Sequence, residues 1–172
     1  MLIWMRQSRK SRTAAAAGFV VAWLFALAPA GASGLFEGME GSWRGEGSIA
    51  WSTGETERMR CNAKYKVERE GNRIVQELTC ATDSTRLVIK STITYNPAAG
   101  AITGSWSETS YGINGSVTGT ASTNSVKAMV KSRDNRFQAR VTVVTSGSAQ
   151  TVSIVPQGID VTEVSVELQR AG

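Results

Sequence analysis

The stretch CNAKYKVEREGNRIVQELTC, residues 61–80, begins and ends on the two cysteines of a 172-residue chain. Folded back on itself between Glu70 and Gly71, it sets Cys61 opposite Cys80, Ala63 opposite Leu78, Tyr65 opposite Gln76 and Val67 opposite Ile74. The alternate positions pair Lys64 with Glu77 and Lys66 with Val75. One face is mostly apolar and the other polar or charged, as an antiparallel ribbon with one buried side requires. Directly opposed residues on such a ribbon lie within the reach of a disulfide. The segment is therefore read as a crosslinked hairpin, with two buried free thiols as the alternative.

Working outward, the same alternation continues. Candidate strands run over 42–51, 56–68, 73–82, 86–95, 101–109, 115–122, 125–132, 136–145, 150–155 and 162–170, separated by turn signals such as Asn96-Pro97, Asn114-Gly115 and Ser146-Gly147. Only residues 35–40 suggest a helical turn. The spacing predicts an all-β domain, a single antiparallel meander of eight to ten strands with a short N-terminal helical turn. Each strand has one apolar face, among them Trp43/Ile49/Trp51, Ile102/Trp106 and Val164/Val166/Leu168. These faces must be buried against one another, and a sheet curled into a barrel does this while removing its edges. Short connections favour the barrel over a Greek-key sandwich.

Ahead of the strands, Arg6, Arg9, Lys10 and Arg12 precede an apolar run and then Ala30-Gly31-Ala32. Basic, apolar and small-residue segments in that order make up a secretory signal, expected over residues 1–32. The alternative is an uncleaved anchor. Residues 33–41 form a lead-in and 42–172 the barrel domain, and the location expected is periplasmic or secreted. The four signal cations also account for most of the net charge of +5. Without them fifteen cations face fourteen acids. The basic pI is thus no argument for a nucleic-acid partner. In an exported protein two cysteines read as a disulfide rather than a metal or redox site.

Gly41-Ser42-Trp43-Arg44, opening the first strand, resembles the start of calycin-like barrels, the lipocalin, fatty-acid-binding and nitrobindin-like groups. The resemblance implies that Trp43 plugs one end of the barrel and that Arg170, from the last strand, stacks on it. The wider pattern, with Gly104-Ser105-Trp106-Ser107-Glu108 and Pro156-Gln157-Gly158, is also similar to small exported bacterial proteins of unassigned function. Nitrobindin-like proteins hold haem iron through histidine, and this chain contains none. No cofactor and no metal are therefore expected.

The lack of histidine also removes Ser-His-Asp and Cys-His triads and imidazole acid–base chemistry. The acids are scattered. Glu46, Glu77 and Glu108 are read as outward or cross-strand partners, Glu108 as solvent-exposed near a strand end. The chain is expected not to be an enzyme.

What is left is the interior. Small inward residues (Gly45, Gly47, Ala63, Gly104, Gly119, Ala121, Ala128, Ala139) face Trp43, Trp51, Tyr65, Gln76, Trp106 and Phe137. Those six are the candidate ligand-binding residues, for a small hydrophobic molecule or lipid oriented by Tyr65, Trp106 or Gln76. A core filled by interdigitated large and small side chains is the competing expectation. In that case the protein acts through its surface as a structural or interaction component of the envelope. Its best feature is then the outward row Arg58, Arg60, Lys64, Lys66.

Overall fold

The computed structural model describes residues 34–172. The proposed signal segment lies outside these residues. A 3-10 turn, Glu37–Met39, leads into ten strands: β1 Gly41–Trp51, β2 Thr56–Glu68, β3 Arg73–Ala81, β4 Arg86–Asn96, β5 Ala101–Glu108, β6 Ile113–Ser122, β7 Ser125–Ser132, β8 Gln138–Ser146, β9 Ala149–Gln157 and β10 Val161–Arg170. Each pairs antiparallel with its neighbour in sequence, and β1 pairs with β10, which closes the barrel. The expected architecture is the observed one. No helix among the described residues is long and apolar enough to cross a membrane.

The hairpin of residues 61–80 has the register its sequence implies. Cys61 pairs with Cys80, Tyr65 with Gln76 and Val67 with Ile74. The two cysteines are joined by a disulfide across Cα atoms 4.1 Å apart. At the tip Arg69 and Glu70 both adopt left-handed backbone, φ 52° and 54°, before Gly71 at φ 83°. That conformation gives the reversal a twist matching the right-handed twist of the strands.

Gly71 has a second reason to be glycine. A Cβ there would lie 2.6 Å from the Cα of Gly34, because the lead-in crosses directly over this turn. The Phe36 amide donates to the Gly71 carbonyl at 2.8 Å, and Phe36 is buried beneath. The lead-in thus caps the barrel at the end where β1 begins. In β1, a Cβ at Gly45 would collide with the Glu167 carbonyl of β10. Glycine here lets the closing strands come close enough to pair.

At the capped end the core is densely filled. Trp43 is fully buried, and its indole N–H donates to the Met39 carbonyl at 2.9 Å. The Arg170 guanidinium lies 4.7 Å from the centre of the Trp43 ring and donates to the carbonyls of Gly38 and Glu40. One side chain therefore both covers the plug and ties the lead-in to the last strand. Tyr65 meets Trp43 edge-on at 6.2 Å, and Ile102 and Leu168 complete the packing.

Candidate functional site: the barrel lumen

A closed sheet gives inward side chains one place to go, so the inner face defines the candidate site. Its packing is uneven. The capped end and the β1–β2 wall are buried. Farther round, Leu87 and Ile89 on β4, Val141 and Val143 on β8 and Ile154 on β9 are only half-buried and lie outside the packed cluster. Each shares the inward parity of buried neighbours, Val141 standing two residues along β8 from Ala139 and Leu87 pairing with Cys80. These are Val, Ile and Leu whose apolar surface the core does not cover.

The polar groups of the inner face fall largely on one row. Following the register from strand to strand, Tyr65 pairs with Gln76, Gln76 with Ser91, Ser91 with Trp106, Trp106 with Gly115 and Gly115 with Ser132. Phe137 donates its amide to the Ser132 hydroxyl at 3.0 Å and meets Trp106 edge-on at 5.7 Å. Of the six residues chosen from sequence, Tyr65, Gln76, Trp106 and Phe137 therefore belong to a single diagonal stripe. Trp43 belongs to the capped end, and Trp51 to the opposite end of β1, paired with Val161. Sequence reasoning missed Ser91 and Ser132. For Ser91 the available signal was its inward parity between Ile89 and Ile93, whereas Ser132 ends its strand and is followed by Arg133 and Asp134.

Along the stripe the groups differ in how they are satisfied. The Tyr65 hydroxyl donates to Gln150 Oε1 at 2.7 Å, and Gln150, 1% exposed, donates on to Thr145 at 3.2 Å. Burial pushes the Tyr65 hydroxyl well above the ordinary phenol range, so it stays protonated. Ser132 donates to Asp134 Oδ1 at 2.5 Å in the β7–β8 turn. The Ser132 and Arg136 bonds hold the Asp134 carboxyl below its usual range. Between these engaged ends, Ser91 donates to Gln76 Oε1 at 3.0 Å. The indole N–H groups of Trp51 and Trp106 are buried without a partner among the described residues.

Glu108 corrects the sequence reading. It is not a solvent-exposed strand end but 6% exposed, with inward parity, paired to Ile89 and Ile113. Its carboxylate accepts from the amides of Val88 at 2.9 Å, Ser110 at 3.0 Å and Tyr111 at 2.6 Å. Burial raises the carboxyl's pKa, but these amides together outweigh that and hold it below the ordinary range. Its role is to fold the β5–β6 turn. That turn and the β9–β10 turn, both at the end away from the cap, carry the exposed apolar side chains Tyr111, Ile113 and Ile159.

Outside the barrel, a trough of about 710 Å³ crosses β2 to β6. Lys64, Lys66, Lys90 and Arg133 stand around a floor of Thr92, Ser105, Ser107 and Asn114. Lys66 is paired with Glu68 at 2.8 Å and Lys90 with Glu77 at 3.7 Å. Of the outward row read from the sequence, the trough takes in Lys64 and Lys66, while Arg60 faces Glu46 at 3.8 Å. Among the described residues no group of acids and cysteines is arranged to hold a metal ion.

No family model matches the chain, and no curated protein matches it. Among solved structures it is similar to an S-type phycobiliprotein lyase from Guillardia theta, with a TM-score of 0.57 and 12% identity over 80% of this chain and 90% of that one. The likeness at that identity is one of fold.

Proposed function

We propose that this is an exported barrel protein that holds a small hydrophobic molecule in its lumen, as a binding protein rather than an enzyme. One observation carries the reading. Leu87, Ile89, Val141, Val143 and Ile154 point into a closed barrel yet remain half-buried outside the packed core. Covering apolar surface of this kind is favourable by roughly 25 cal/mol per Å². A ligand covers it where side chains do not. The capped end supplies a rigid floor, and the apolar turns at the other end form a rim over which a hydrophobic molecule can enter. Export rests on the basic–apolar–small pattern of residues 1–32 and agrees with the disulfide. The binding reading, as against catalysis, rests on how the interior groups are used. Glu108 folds a turn, and Tyr65 and Gln150 hold each other.

Native mass spectrometry of protein purified from its own host tests this. The expected spectrum contains a co-purifying lipid-sized mass that organic extraction releases. Protein that carries no such mass, and binds no apolar fluorophore after extraction, overturns the proposal. The exterior trough favours a second reading, an envelope interaction protein that meets an acidic partner through Lys64, Lys66, Lys90 and Arg133. That reading predicts binding lost in high salt, whereas lumen binding persists.

A further inference from the structure

Given a lumen that binds, its inner face also has a charge and a hydrogen-bonding character. Arg170 is the sole cation with inward parity on the described strands, and its guanidinium is turned onto the cap, on Trp43 and the carbonyls of Gly38 and Glu40. The other charged inward positions are acids. Glu57, paired with Ile49, accepts from Ser84 at 3.1 Å at the uncapped end, and Glu108 folds the β5–β6 turn. A buried anion without a counter-cation bears a large desolvation cost.

The middle of the polar stripe is rich in donors. Gln76 accepts from Ser91 through its oxygen, while its amide nitrogen, which keeps accessible surface, makes no hydrogen bond among the described residues. One register step beyond Ser91, Trp106 holds its buried, unpartnered indole N–H. Beside the apolar surface of Leu87 and Ile89, this stretch offers two N–H groups, those of Gln76 and Trp106, that make no hydrogen bond among the described residues. The buried indole N–H of Trp106 is unfavourable left unmet, and the accessible Gln76 amide is free to donate to a ligand oxygen.

We infer that the lumen, on the binding reading above, takes an uncharged, largely apolar ligand bearing a carbonyl-type acceptor, such as an ester or ketone, seated at Gln76 and Ser91. The carbonyl accepts from the Gln76 amide while the alkyl part lies along β4, β8 and β9. A free fatty acid is excluded as its anion because nothing inside neutralises it.

Three probes delivered from cyclodextrin and followed by tryptophan fluorescence test this at pH 8: methyl tetradecanoate, tetradecanoate and the plain alkane hexadecane. The ester is expected to bind at least about tenfold more tightly than the carboxylate, roughly the effect of one buried hydrogen bond gained or unmet. Gln76→Leu is expected to weaken the ester by about tenfold while leaving hexadecane unchanged. Ser91→Ala, a smaller change, should move the ester in the same direction. Carboxylate binding equal to the ester, or ester affinity indifferent to both substitutions, overturns the inference while leaving the lumen reading standing if hexadecane binds. Failure of all three probes to bind overturns both.

Discussion

Glu108 shows at the scale of one residue how burial and hydrogen bonding contend. Desolvation alone would favour the neutral acid, but three backbone amides aimed at the carboxylate favour the charged form. The folded state therefore binds this proton more weakly than the unfolded chain does. Its stabilising contribution is fully present above the unfolded value of about 4.3, and it is lost as pH falls through the lower folded value. Glu108→Gln is expected to cost about 1–2 kcal/mol at pH 7, where charged acceptors outperform neutral ones. The difference should narrow as the pH is lowered through the depressed folded value, where the wild-type carboxyl becomes protonated as well. Urea unfolding at a series of pH values checks this. A gap that does not narrow on acidification would remove Glu108 from the charged turn-folding role. From sequence its parity was visible, but the amides that receive it belong to Val88 on another strand and to a turn whose geometry no pattern specifies.

At the scale of the element, the β2–β3 hairpin was legible almost residue by residue. Period-two alternation fixes which residues share a face, and a one-step slip would turn Ala63, Tyr65 and Val67 outward. The crosslink adds to a register already specified. Its ends are 19 residues apart, and closing such a loop in the unfolded chain is worth about 3 kcal/mol. Replacing both cysteines by alanine should lower the unfolding midpoint while changing methyl tetradecanoate affinity less than twofold. Calorimetry beside the fluorescence titration reads both, and intact mass after alkylation should show no free thiol in the purified protein. A loss of binding at unchanged stability would mean that the sulfurs touch the ligand. The left-handed backbone at Arg69 and Glu70 was not legible, since neither residue favours it. The lead-in crossing at Gly34 and Gly71 is a contact the local sequence does not announce.

The whole molecule poses the question of whether the barrel is filled or hollow, which a single side chain can probe. Val141 faces inward, pairs with Ala128 and Ile154, and stands outside the packed cluster. In a filled core Val141→Phe would overpack and cost roughly 1–3 kcal/mol. In an unfilled lumen it is expected to leave the thermal midpoint within about 2 °C of wild type and to abolish probe binding by occupying the space. Destabilisation together with undisturbed binding would place the ligand elsewhere. The fold resemblance to a phycobiliprotein lyase gives the barrel a known relative in shape, while the proposed ligand class rests on this chain's own inner face.

By itself the sequence indicated the strands and the register of the β2–β3 hairpin and favoured a barrel over a sandwich, because alternation and turn chemistry act between neighbours along the chain or across one hairpin. It also supplied Trp43 and Arg170 as the pair at the capped end, through a motif resemblance. Only the tertiary structure gathered Tyr65, Gln76, Ser91, Trp106 and Ser132 into one stripe. That stripe is set by the cumulative stagger of five strand pairings, which no local pattern encodes. Whether inward residues meet one another or leave room depends on barrel diameter and tilt. Those are properties of the closed sheet rather than of any strand in it.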